Sequence, residues 1–126
     1  MENYTFLSVD DVIRIHDLQI NKRGGAHGLR DANGLSSAVN SPVNVMHYAD
    51  GDIFDAAAAY LYNIAQAQAF LDGNKRTGAH SAIVFLITNG CNADFDEAIL
   101  YDLANDIAEG SKSRGDVASY LRSASE

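Results

Sequence analysis

Apolar residues recur along this chain at spacings of three and four, the signature of helix faces packed on a core. The first stripe is Val9, Val12, Ile13, His16 and Ile20, preceded by Ser8 with Asp11 in the opening turn. That pair reads as an N-cap with an acid behind it. A first helix is therefore predicted from about Ser8 to Lys22, stopped by Gly24-Gly25. The glycine-bearing stretch from there to Asn33 reads as a loop. Leu35, Ala38 and Val39 support only a short second helix, ended at Ser41-Pro42 because a residue before proline is driven out of the helical region. Pro42 to Asp52 reads as irregular, a covering flap or a partner surface.

A third helix is predicted from Asp52 or Asp55 to about Ala69, with Phe54, Ala57, Ala58, Leu61 and Ala65 on one face. Seven residues beyond Leu61 the same line reaches Gln68, which is therefore expected to point inward, towards a turn at Asp72. The fourth helix, about Asn74 to Asn89, carries the run Ala82 to Ile87, apolar on every side, and Gly90 closes it. It is expected to be the central, most buried helix. Asp94 or Asp96 caps a fifth helix running through Ile99, Leu100, Leu103 and Ile107 to Gly110, and Ser113 or Asp116 opens a sixth through Val117, Tyr120 and Leu121. No convincing strand, repeat or heptad array is visible. The prediction is an all-α, compact six-helix bundle, a single domain over residues 1–126.

Composition narrows the choice of function. A formal net charge of −8 argues against a protein that binds nucleic acid through a basic face, so no direct DNA binding is expected. The longest apolar run is too short to span a bilayer, and Met1-Glu2-Asn3-Tyr4 lacks the basic start of a signal peptide. The lone Cys91 has no disulfide partner within the chain, which suits a reducing cytoplasm.

One stretch breaks the local rules. In Phe70-Leu71-Asp72-Gly73-Asn74-Lys75-Arg76-Thr77 a tight turn leads into a helix whose first turn holds two cations, the wrong sign for the positive end of a helix dipole. Exposed N–H groups, the dipole and the two cations together make an anion pocket, most naturally one for phosphate. Asp72 is a hard oxygen ligand suited to Mg²⁺, and Gly73 lets a ligand approach the backbone. Asn74 can donate to phosphate, Lys75 adds a point charge and Arg76 a planar fork. Such a set suits phosphoryl transfer, which needs positioning and charge stabilisation above all.

This motif resembles the core of the Fic/Doc family, and Lys75 makes it similar to the Doc toxin branch. The Gly24-Gly25-Ala26-His27-Gly28-Leu29-Arg30-Asp31 loop and the helix ending at Asn89-Gly90 extend the likeness over most of the chain. The resemblance implies a small bacterial cytoplasmic toxin that uses ATP and Mg²⁺ to phosphorylate a hydroxyl of a translation elongation factor, arresting translation. Lys75 would fill part of the usual phosphate cradle, which implies a nucleotide bound in the reversed sense. It assigns catalytic positions to Gln68, Asp72 and Arg76, phosphate binding to Gly73, Asn74, Lys75 and Arg76, and the metal to Asp72. It also implies an antitoxin protein acting in trans, docking a helical segment in a groove.

Two departures stand out. The family's catalytic histidine, two positions before Phe70, is Gln68 here. An amide is no general base near neutral pH, and such a base contributes roughly 10²–10⁴-fold in rate, so impaired transfer is expected. Ala79 stands where the adenylylating branch has a second arginine, which weighs against a protein adenylyltransferase. A non-catalytic module that keeps the nucleotide pocket or the antitoxin groove is the alternative. Asn105 to Gly110 lacks the Ser/Thr of the family's self-inhibitory motif and reads as the end of the fifth helix. Of the remaining candidates, His16 is expected in the core, His80 one turn beyond Arg76 in packing or near the pocket, and His27 and His47 on loops without zinc-ligand spacing. Cys91 reads as a small buried side chain, and Asp94, Asp96, Glu97 and Asp102 as a solvated, capping face.

Overall fold

The computed structural model describes residues 4–48, 51–92 and 94–125. Six helices follow one another: α1 Val9–Arg23, α2 Ala32–Tyr48, α3 Ile53–Ala67, α4 Asn74–Thr88, α5 Glu97–Ala108 and α6 Arg114–Ala124. The caps match the sequence signals. Ser8 and Asp11 form a reciprocal capping box on α1, Ser113 and Asp116 do the same on α6, and Asp52 with Asp55 on α3. Each box satisfies two otherwise orphaned backbone donors. Asp96 caps α5 by accepting from Ala98 and Ile99 N–H.

The centre belongs to α3. Residues Ala56 to Leu61 are all buried, and the helix packs against α2, α4, α5 and α6. Four consecutive alanines let neighbours close in from every side. On α4, Ala79, Ala82, Phe85 and Leu86 are buried, but Ile87 is half exposed and Ile83 and Val84 lie at the edge of the core. The helix after the motif is thus a major core element, beside the central one. It crosses α3 closely at Gly78, where a Cβ atom would meet the Leu61 carbonyl oxygen at 2.9 Å.

The second helix corrects the expectation of a short element ended at Ser41-Pro42. It continues to Tyr48 with Pro42 inside. Proline in a helix interior costs about 3 kcal/mol, yet Leu35, Ala38, Val39 and Val45 bury a stripe that stays in register only if the helix continues. Burying each of the larger of these stabilises by roughly 1.5–3 kcal/mol, which outweighs the proline. His47 therefore lies in the last turn of α2 and not on a loop.

The N-terminal segment is tied down at two points. Leu7 N–H donates to the Tyr60 hydroxyl at 2.8 Å; burial pushes that phenol up to about 12. Asn89 accepts from Thr5 N–H at 2.7 Å and donates to the Thr5 carbonyl at 2.9 Å. At the other end of the same helix pair, His16 reaches Asp72, so α1 runs antiparallel to α4. No helix among the described residues is long and apolar enough to cross a membrane.

Candidate functional site

The site is built at the corner between α3 and α4. Helix α3 ends at Ala67 because Gln68 takes φ 47° and ψ 43°, the only left-handed backbone at a non-glycine among the described residues. Arg30 Nε donates to the Gln68 carbonyl at 3.0 Å. The loop between α1 and α2 is stitched alongside: Leu71 N–H donates to the Gly28 carbonyl at 3.0 Å, and Arg30 N–H to the Ala69 carbonyl at 2.8 Å. Leu29 and Phe70 form an isolated antiparallel bridge, the one trace of β-pairing among the described residues. Gly28, at φ 143°, holds a backbone conformation there that residues with a Cβ rarely adopt.

Two side chains fix the turn from below. The Asn74 amide accepts from Phe70 N–H and donates to the Phe70 carbonyl, both at 3.0 Å. It thus bolts the turn shut and keeps one amide hydrogen for anything else. His16, 1% exposed, stacks on Phe70 at 3.8 Å with the rings 7° apart. Its Nε2 donates to the Asp72 carbonyl at 2.8 Å, a contact that places the proton on that nitrogen. The Asp72 carboxylate projects to solvent, with Oδ2 accepting from Ala26 N–H at 2.9 Å. Its other oxygen remains for a cation. No three His, Cys, Asp or Glu side chains converge among the described residues. A hard cation at Asp72 would therefore complete its shell with water and ligand oxygens, as Mg²⁺ does.

Gly73, at φ 79°, opens α4 without any side-chain cap and with no acid in the first turn. The first N–H groups of this helix thus lack a side-chain partner beside the cavity, an arrangement that suits an anion. That cavity measures about 450 Å³ and is shared by Lys75, Arg76, Gln68, Asp72 and the end of α1. The Arg76 guanidinium lies over the Tyr101 ring, 4.6 Å from its centroid, so α5 holds the cation that α4 supplies.

All the residues singled out in the sequence, Gln68, Asp72, Gly73, Asn74, Lys75 and Arg76, border this one cavity. One expectation about them is corrected. Gln68 does not continue the inward line of α3, because the helix has already ended; its side chain is exposed at the cavity mouth. His16 is the core residue expected, with the added task of holding Asp72. His80 lies beyond Arg76 in a smaller cavity of about 200 Å³, with Ala79, Arg23 and Glu97. Burial pushes its imidazole below the ordinary value against the pull of Glu97 at 3.2 Å, and Arg23 and Lys22 push the same way as burial. His27 bonds to Asn21 at 3.0 Å and Asp17 at 3.3 Å on the loop side. Cys91 is a free, partly buried thiol packed on the core.

Sequence reasoning missed Gln19, Arg23, Arg30 and Tyr101. None carries a local signal, since each reaches the site only through tertiary packing.

The chain matches the model of the Fic/DOC family over residues 6–86. It is 36% identical over 118 residues, 92% of each chain, to the protein kinase doc of Escherichia phage P1. Over 107 residues, 82% of this chain and 80% of the relative, it is 36% identical to the toxin Doc of Mycolicibacterium smegmatis. With the uncapped, doubly cationic α4 N-terminus held as described, these matches make the chain a member of the Fic/Doc family.

Proposed function

We propose that this protein is a Doc-like toxin whose cavity takes ATP with Mg²⁺, and whose lineage chemistry is phosphoryl transfer to a hydroxyl of a translation elongation factor. The observation that carries the reading is the start of α4: an uncapped helix end with Lys75 and Arg76 beside it, facing a 450 Å³ cavity next to the Asp72 carboxylate. Backbone N–H groups from Gly73 onward and the two cations would hold phosphate oxygens. Bound Mg²⁺ would neutralise charge on those oxygens, with Asp72 as its protein ligand. Tyr101 and His16 keep Arg76 and Asp72 in place before any ligand arrives. An antitoxin acting in trans restrains such a toxin, consistent with the toxin named among its relatives.

Gln68 favours a second reading. At the position where the family's histidine takes the proton from the target hydroxyl stands a neutral amide, so the chain suits a binding module that keeps its pocket and transfers little. Ala79, small and buried, supplies no second arginine for nucleotidyl transfer.

Incubating this chain and Gln68→His with γ-labelled and α-labelled ATP, Mg²⁺ and a cell lysate separates these readings. The phosphotransferase lineage is supported if the histidine variant places γ-label on one protein and the chain as it stands labels it at least a hundredfold more slowly. No label from the histidine variant removes the kinase reading, and α-label would replace it with adenylyl transfer. By calorimetry, Arg76→Ala should lose more ATP affinity than His80→Ala; the reverse order would move the phosphate site.

A further inference from the structure

The last residue of α1, Arg23, borders both the motif cavity and the smaller one beside it, and the residues that share both walls with it are Arg76 and Tyr101. The two guanidinium groups meet one face of α5. Arg76 lies over the Tyr101 ring, and a terminal nitrogen of Arg23 stands 3.7 Å from Glu97 Oε2. Glu97 and Tyr101 are one turn apart on that helix, which sets their Cβ atoms about 5–6 Å from each other. The two arginines are therefore neighbours, although they come from different helices. The counter-charge between them is thin. Glu97 is nearly half exposed and also takes His80 Nε2 at 3.2 Å. A separation of 3.7 Å exceeds a hydrogen bond, so the donors of Arg23 have no acceptor among the described residues. Lys75 adds a third cation to the larger cavity, whose one acidic wall residue is Asp72. Cations gathered in this way repel one another, and an anion of several charges relieves the repulsion.

We propose that Arg23 is a second arginine of the phosphate site: its planar fork reaches from α1 to the phosphate oxygens that Arg76 takes from α4, and Glu97 is the partner it gives up when the ligand binds. The proposal rests on the nucleotide reading above and adds to that site a residue from outside the motif. A cation in the last turn of α1 also suits the dipole of its helix, so the test has to separate the two roles.

Calorimetry of the full chain with Mg²⁺ and two ligands, ATP and inorganic tripolyphosphate, does so. Arg23→Gln should bind both about tenfold more weakly, the loss of charge-assisted hydrogen bonds. It should melt as the parent does, since an exposed ion pair contributes little. Arg23→Lys keeps the charge at the end of α1 and beside Glu97 but not the fork; it should melt with the parent and still bind both ligands about threefold more weakly or worse. Glu97→Gln releases Arg23 and should bind both about two- to threefold more tightly. Parent-like affinity in the lysine variant, or a loss in Glu97→Gln as large as in Arg23→Gln, assigns Arg23 to the dipole or the ion pair and overturns the clamp. A loss for ATP with tripolyphosphate unchanged puts Arg23 against the nucleoside and overturns it as well. If Arg23→Gln binds both ligands as the parent does while Arg76→Ala loses both, the clamp falls and the nucleotide site stands. If the parent binds neither ligand, the nucleotide reading falls and takes this proposal with it.

Discussion

His16 and Asp72 are joined across the fold: the imidazole Nε2 donates to the Asp72 carbonyl at 2.8 Å while the ring lies flat on Phe70. Two functions thus fall to one buried side chain. It fills the floor beneath the motif turn, and it fixes the peptide that carries the proposed metal ligand. His16→Ala should lose about 2–4 kcal/mol in urea denaturation, the sum of a lost ring contact and a carbonyl left to water. His16→Phe should recover most of the stability but not the Mg²⁺-dependent part of ATP affinity. Full recovery of both would show that the ring, and not the hydrogen bond, matters.

Gln68 holds a left-handed backbone at φ 47° without the relief a glycine offers. That conformation costs roughly 1–2 kcal/mol for a residue with a Cβ, partly offset in a glycine variant by the greater freedom of its unfolded chain. Gln68→Gly should therefore stabilise the protein by up to about 1 kcal/mol, and Gln68→Val should destabilise it by at least as much. Thermal unfolding of the two variants gives the answer. A stabilising valine would mean that this corner is not held left-handed.

Most of the fold was legible because caps and periodic stripes are local. Ser8, Asp96 and Ser113 mark helix starts in sequence and cap them in space. The corner between α3 and α4 stood out for the opposite reason: Lys75 and Arg76 violate the dipole rule, and a violation in a short stretch is easy to see. Pro42 misled because its local cost is real, while the burial that outweighs it comes from α3 and is invisible in a window of ten residues. Gln68 misled because the apolar line assumed a helix that had already ended. Gln19 and Tyr101 could not be found at all, since residues on two other helices come to border this cavity only when α1 and α5 close over α4.

Tyr101 holds Arg76 by its ring face at 4.6 Å. An exposed cation–π contact contributes about 0.5–1 kcal/mol, and here part of it would appear as a preformed guanidinium. Tyr101→Leu should weaken ATP binding about two- to fivefold by calorimetry, with little change in melting temperature. Tyr101→Phe, which keeps the ring, should bind as the parent does. A loss in the phenylalanine variant would assign the effect to the hydroxyl instead.

At Gly78 two helices meet with no room for a side chain, since a Cβ would lie 2.9 Å from the Leu61 carbonyl oxygen and 3.3 Å from its Cα. Both neighbours are backbone, so neither can rotate away. Gly78→Ala gains helix propensity of about 1 kcal/mol but must push α3 and α4 apart, an overpacking that costs roughly 1–3 kcal/mol or more. Net destabilisation of about 1–2 kcal/mol is expected in urea, together with weaker ATP binding as the α4 N-terminus shifts. A stabilised variant would contradict the close crossing.

Asp52 and Arg122 link the start of α3 to the last turns of α6 through two bonds of 3.0 Å, Nε to Oδ2 and a terminal nitrogen to Oδ1. Burial works to raise the Asp52 carboxyl, but the Asp55 N–H and the Arg122 guanidinium outweigh it and hold the group below its ordinary 3.8. A carboxylate depressed in the folded state stabilises above its unfolded value, and that contribution fades as pH falls through 3.8 towards the lower folded value. Both partners are well exposed, so the pair is worth at most about 1 kcal/mol. Arg122 also lies over the Phe54 ring at 5.8 Å, a contact that does not titrate in this range. Arg122 also reaches the Asp55 carboxylate at 3.6 Å, so comparing the parent with Arg122→Leu across pH isolates the carboxylate pair that faces the guanidinium. The stability gap measured in urea should be constant near neutrality and shrink by about 0.5–1 kcal/mol as the pH drops below 4. A gap that stays flat to the acid limit would leave only the ring contact, and one that widens would mean that Arg122 does not favour the ionised form of Asp52 and Asp55.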